Sequence, residues 1–353
     1  MLRHRTGTLL GWVAAALMAA CATPSTAPAP EPQVESTAAP PSPPAAGRVL
    51  GRSERFVIYQ PAAGDTLRTI AAQFLGSESR DWVVADFNGV SQAAPERTLA
   101  IPLKPFNPIG VYADHYQTVP ILCYHRFASG AGNGGGGKMV VSAASFAAQL
   151  DWLARNDYRV ITLSQLTAFL QGRQALPKRA VVITIDDGYE SVHRVALPLL
   201  RKHGFPATLF AYTDFIGAAD ALSWAQLQEL VASGLVDVQA HSKSHRNLIE
   251  RAAADSDEHY RQMLDTEARV PRELLERKLP VQVRHYAYPY GDANQAVLDA
   301  LTRQRYQLAL TVNPGGNGFF AQPLMLRRTM IYGDLDLAAF KLKLQTARGV
   351  AAP

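Results

Sequence analysis

The chain has 353 residues, 48% hydrophobic and 18% charged, a globular composition with room for one large domain and a small one. Its formal charge is +5; without Arg3 and Arg5 it is about +3, too small a surplus to argue for nucleic acid. Two cysteines, Cys21 and Cys123, exclude a disulfide-stapled scaffold.

Residues 1–5 are basic and residues 9–20 apolar, a run too short to span a bilayer as a helix, so 1–20 is expected to be a targeting peptide. Ala19 and Ala20 precede Cys21, with Leu17 and Met18 upstream. This resembles a bacterial lipobox, although leucine is usual where Met18 stands. The resemblance implies that Cys21 is lipidated and tethers the protein to a membrane surface. Ala22 lacks the aspartate associated with inner-membrane retention, so the expected location is the cell envelope, at the outer membrane or in the periplasm. Residues 21–52 are rich in Pro, Ala, Ser and Thr and are expected to be a lipidated, disordered tether.

Residues 53–103 read as β-α-α-β. Phe56-Val57-Ile58-Tyr59 is a strand, and Gly64-Asp65-Thr66 turns into a helix with Leu67, Ile70, Ala71 and Phe74 on one face. A second helix over 81–87 stops at Asn88-Gly89, and Leu99-Ala100-Ile101-Pro102 closes the unit. This resembles a LysM module, which implies binding of N-acetylglucosamine glycans.

From 117 to 348, apolar runs at 119–124, 159–163, 180–185, 207–212, 236–240, 284–288 and 307–311 read as buried strands. Helical patterns at 143–156, 192–203, 223–233, 257–276 and 294–303 separate most of them. The alternation predicts an α/β fold with a mainly parallel sheet, open or barrel-like, and reactive groups at the C-terminal strand ends. Cys123 reads as a small apolar residue within a strand. Gly132 to Lys138 satisfies part of a phosphate-binding loop, but Met139 replaces the hydroxyl that would hold magnesium, so no nucleotide is expected.

Three segments follow predicted strands: Thr184-Ile185-Asp186-Asp187-Gly188, His241-Ser242-Lys243-Ser244-His245 and Tyr288-Pro289-Tyr290-Gly291. Adjacent residues at a strand end point apart, so one carboxylate can bind a metal while the other faces water. If a helix begins just after His241, both histidines fall on one face; otherwise they are unrelated loop residues on a basic surface. Hydrolysis of an unactivated amide needs an activated water, which a divalent ion with an open position supplies. Ser242 stands where a zinc peptidase would carry glutamate, which argues against that activity.

Together the segments resemble the polysaccharide deacetylase family, carbohydrate esterase family 4, with its NodB-homology domain. The likeness extends through Pro198 to Thr208, Leu222-Ser223-Trp224, Ser233-Gly234-Leu235 and Val119 to His125. The last of these is similar to the branch of bacterial poly-N-acetylglucosamine deacetylases. The resemblance implies a NodB-type distorted (β/α) barrel over 117–348, with Asp186 as general base and Asp187, His241 and His245 as metal ligands. Zn²⁺ suits that set, with Co²⁺, Ni²⁺ or Fe²⁺ as alternatives. It also implies that the Tyr290 N–H supports the oxyanion. Ala287 stands where many members carry the arginine that orients the aspartate; Arg328 or Arg327 is the expected substitute. No histidine follows His285 to act as the late general acid, so His125 is the candidate and His285 a weaker one. The expected activity is removal of N-acetyl groups from an N-acetylglucosamine polymer, peptidoglycan first. The alternatives are poly-β-1,6-N-acetylglucosamine, O-acetyl ester hydrolysis, or an inactive glycan-binding anchor.

Overall fold

The computed structural model describes residues 47–129, 137–251 and 253–349. The expected targeting segment, Cys21, most of the tether and the glycine run up to Gly136 lie outside the described residues.

Arg48–Arg52, Phe56–Gln60 and Leu99–Pro102 form a three-stranded antiparallel sheet. The first strand corrects the expected tether, which ran to residue 52. Its cause is local: Ser53 N–H donates to Phe56 O, and Ser53 Oγ accepts from Phe56 N–H, so the chain folds back on itself. Helices Leu67–Leu75 and Asp81–Asn88 complete the small module. Thr66 caps the first helix through the Thr69 N–H, and Gly76 and Gly89 end the two helices in left-handed conformation. Val57, Tyr59, Ile70, Ala71, Val84, Leu99 and Ile101 form its core.

In the large domain, parallel strands run in the order Leu308–Leu310, His285–Ala287, Val236–Ala240, Ala207–Ala211, Ala180–Asp187 and Val119–Tyr124. Both faces are covered, so Ala180–Asp187 is buried throughout. Helices Ala143–Arg155, Leu163–Leu170, Leu197–His203, Trp224–Ala232, Asp257–Lys278 and Gln295–Arg303 surround the sheet. The segment 326–330 joins the two sheet edges. Leu326 bridges Leu310, while Thr329–Met330 pairs in parallel with Leu122 and Cys123. The sheet curls around that segment and encloses Arg328, whose exposure is 0%.

The small module packs against the N-terminal strand ends. Arg159 Nη2 lies 2.8 Å from Asp81 Oδ2, and Lys178 donates from N and Nζ to Asp86 at 2.9 Å each. A cleft of about 590 Å³ in this seam is lined by Trp82, Phe87, Phe106, Tyr112 and Gln117. The three sequence segments lie at the opposite, C-terminal strand ends. Eight residues of strand, about 26 Å at the usual rise, separate the two ends.

Candidate active site

Asp186 and Asp187 close the central strand. Asp186 points into the barrel and Asp187 turns away from it, with φ +75°, before Gly188 at φ +98° carries the chain around. Arg328 Nη1 donates to Asp186 Oδ1 at 2.7 Å and to Thr184 Oγ at 3.3 Å, while its Nε donates to Thr311 O at 2.9 Å. Burial is the largest single influence and alone would push the Asp186 carboxyl up, but the charge and hydrogen bond of Arg328, together with His241 and His125, outweigh it and hold the acid below its ordinary range. Of the two expected substitutes for the missing arginine, Arg328 reaches the aspartate. Arg327 turns outward to Pro314 O.

His241 follows Val236–Ala240 and is 2% exposed. Its Nδ1 donates to Ala287 O at 2.8 Å, which leaves the Nε2 lone pair facing the carboxylates. That Nε2 lies 3.5 Å from Asp187 Oδ1, and His245 Nε2 lies 3.2 Å from the same oxygen. No helix links the two histidines, which corrects the conditional reading of their spacing. Ser242 at φ +78° and His245 at φ +58° instead make a tight loop, closed by the His245 N–H on Ser242 Oγ at 2.8 Å. The His245 ring packs between Tyr212 and Tyr290, with ring centroids 4.9 and 5.0 Å away.

One donor atom each from Asp187, His241 and His245 falls within 4.8 Å of the others. Asp187 Oδ1 is buried and has no well-formed hydrogen bond. An orphaned carboxylate oxygen facing two imidazole nitrogens fits a divalent cation with mixed N/O ligands. Burial pushes the Asp187 carboxyl up, but the two histidines more than reverse this and keep it ionised.

His125 follows Val119–Tyr124 and is half-buried, and its Nδ1 has no partner among the described residues. Burial moves its pKa down from the usual histidine value. Tyr290 sits at φ +60° in a short turn and is 60% exposed. Among the described residues nothing accepts its N–H. Gly291 next to it has φ +80°, and a Cβ there would lie 2.6 Å from Val312 N, so only glycine fits. His285 lies at the opposite end of its strand, buried and unpaired at Nδ1, and is not part of this site.

Sequence reasoning missed two residues. Glu267, 5% exposed on the Asp257–Lys278 helix, accepts from Lys243 N–H (2.9 Å), Ser244 N–H (3.0 Å) and Ser244 Oγ–H (2.6 Å). It clamps the loop between the two histidines. The other is Cys123, expected as a small apolar strand residue, whose Sγ lies 3.4 Å from Asp186 Oδ2. Neither contact has a signal in local sequence, because each crosses between distant elements.

Residues 173–309 match the family model described as polysaccharide deacetylase. The match supports a polysaccharide deacetylase domain within the chain. YxkH of Bacillus subtilis is 27% identical over 222 residues, covering 63% of this chain and 74% of that protein. The poly-beta-1,6-N-acetyl-D-glucosamine N-deacetylase of Escherichia coli K12 is 25% identical over 211 residues. That match covers 50% of this chain and only 31% of the relative. The structure of IcaB from Ammonifex degensii superposes with a TM-score of 0.56 and 28% identity, covering 64% of this chain and 96% of that one. The α/β fold with its curled sheet is that of the NodB-type deacetylases.

Proposed function

We propose that the protein is a metal-dependent polysaccharide de-N-acetylase acting on polymers of N-acetylglucosamine. One observation carries the reading: Asp187, His241 and His245 converge beside a second carboxylate, Asp186, that a buried arginine holds ionised. A bound divalent ion, Zn²⁺ by ligand type, would polarise the acetyl carbonyl and make water nucleophilic near neutral pH.

The chain's own groups divide the remaining work. Asp186, oriented by Arg328, accepts the proton of the attacking water. The Tyr290 N–H donates to the oxygen on which negative charge develops. His125 has one nitrogen within 4.8 Å of an Asp186 oxygen, and would relay to the departing amine the proton that Asp186 takes from the water. The products are acetate and a free amine on the sugar.

The named relatives support poly-β-1,6-N-acetylglucosamine as the first substrate to test. Peptidoglycan rests on the LysM resemblance of the small module. We further propose that this module binds glycan, and that a lipidated Cys21 holds the protein in the cell envelope. Because the module docks at the end of the barrel away from the site, it would act as an anchor and not as part of the catalytic groove.

Substrate choice is tested by offering the Zn²⁺-loaded protein N-acetylated peptidoglycan and poly-β-1,6-N-acetylglucosamine side by side and measuring acetate. Preferential release from the second polymer is expected. Release from peptidoglycan alone would overturn that choice.

A further inference from the structure

The mechanism leaves one buried nucleophile unused. Cys123 is fully buried, with its Sγ 3.4 Å from Asp186 Oδ2. Cys123 lies on one face of the strand Val119–Tyr124, and His125 stands two residues further on, just past the strand's end. Cys123 pairs with Thr184, which puts Asp186, two residues further on, on that face as well. One donor atom each from Cys123, His125 and Asp186 lies within 4.8 Å of the other two. The same limit holds for Asp187, His241 and His245, with which this trio shares no ligand.

We propose that Cys123, His125 and Asp186 form a second metal site, selective for thiophilic ions such as Zn²⁺ or Cd²⁺, whose occupancy arrests the enzyme. The arrest rests on the catalytic roles proposed above for Asp186 and His125; the site itself does not. In a tetrahedral zinc site, sulfur at about 2.3 Å and oxygen at about 2.1 Å stand about 3.6 Å apart. The observed 3.4 Å separation is close to that bite. The unpaired His125 Nδ1 is a buried polar atom without compensation, and half-buried His125 is the way in from solvent. Thiolate, imidazole and carboxylate together favour Zn²⁺ or Cd²⁺ over Mg²⁺ or Ca²⁺.

The site must be the weaker of the two. Binding breaks the Sγ–H bond, forms an Sγ–metal bond and sends the proton to solvent, with no change of oxidation state. Burial pushes the Cys123 thiol pKa up, so that exchange is uphill. The Arg328 guanidinium and an ion already held by Asp187 also repel a second cation. The site therefore fills only at excess metal. Asp186 can then no longer take a proton, nor His125 deliver one.

The test uses the full chain carrying Cys21→Ser, so that Cys123 is the only thiol. Co²⁺ is added stepwise and followed by absorption, Cd²⁺ by calorimetry. Two equivalents are expected, the second bringing a thiolate-to-metal charge-transfer band. With Cys123→Ser added, one equivalent should remain, without the band. The Zn²⁺ concentration that halves acetate release should then rise at least tenfold relative to that variant's own one-equivalent rate. Cys123→Val serves in the same role if the serine variant does not fold. A single equivalent in the Cys21→Ser protein would overturn the proposal, as would a second one without the band or one that survives loss of Cys123. Failure of the deacetylase reading looks different: no acetate at one equivalent, with both binding steps intact.

Discussion

Glu267→Ala should loosen the metal site without touching a ligand. The carboxylate holds two backbone N–H groups and one hydroxyl of the loop joining His241 to His245, at 2.6 to 3.0 Å. Hydrogen bonds to a charged acceptor contribute about 1.5–3 kcal/mol each. Ser244 is exposed and Lys243 half-buried, so water replaces part of what is lost. The net loss of folding stability should be about 2–3 kcal/mol. His245 sits in that loop at φ +58°, a conformation the loop must enforce. Loss of outer-shell support of this kind lowers metal affinity about 10–100-fold. The assay is Zn²⁺ affinity by chelator competition, beside urea unfolding of the metal-free protein. Glu267→Gln, which keeps one acceptor oxygen, should fall between Glu267→Ala and the parent protein. Unchanged Zn²⁺ affinity in a folded Glu267→Ala would refute the clamp. A loss of stability with unchanged affinity would reduce Glu267 to a packing role.

Three further outcomes are expected. Arg328→Met leaves the Asp186 carboxylate buried without its cation and should destabilise the fold by about 3–5 kcal/mol; equal urea midpoints would contradict the burial argument. Burial depresses the His285 pKa to about 3, below the unfolded value of 6.5. The unfolded chain therefore binds more protons between these values, and stability falls as pH drops below 6.5. From pH 7 to 5 this group should remove about 2 kcal/mol, and His285→Met should lack that component in urea unfolding at the two pH values. Deleting residues 47–103 should weaken pull-down by insoluble N-acetylglucosamine polymer while sparing acetate release from short soluble oligomers. Unchanged pull-down would count against glycan binding by the module.

The α/β architecture was legible because fully buried parallel strands read as continuous apolar runs. The runs at 180–185 and 236–240 correspond to the strands Ala180–Asp187 and Val236–Ala240. The ligand candidates were legible because they follow those runs directly. What was not legible depends on tertiary closure or on loop conformation. Arg328 was only one of two neighbouring arginines until the segment 326–330 was seen to bridge the sheet edges and turn it inward. The spacing of His241 and His245 suggested a helix, but two left-handed residues achieve the same convergence. The strand Arg48–Arg52 was hidden in a polar, proline-rich stretch because its pairing depends on a turn at Ser53 and not on apolar content. Glu267 is separated from the loop it holds by more than twenty residues.

The division of labour between the two aspartates is tested most directly by measuring bound metal and acetate release together in Asp186→Asn and Asp187→Ala. The account predicts that Asp186→Asn keeps its Zn²⁺ and releases no acetate, whereas Asp187→Ala loses both. Acetate release by Asp186→Asn at the parent rate, or full Zn²⁺ occupancy in Asp187→Ala, would contradict it.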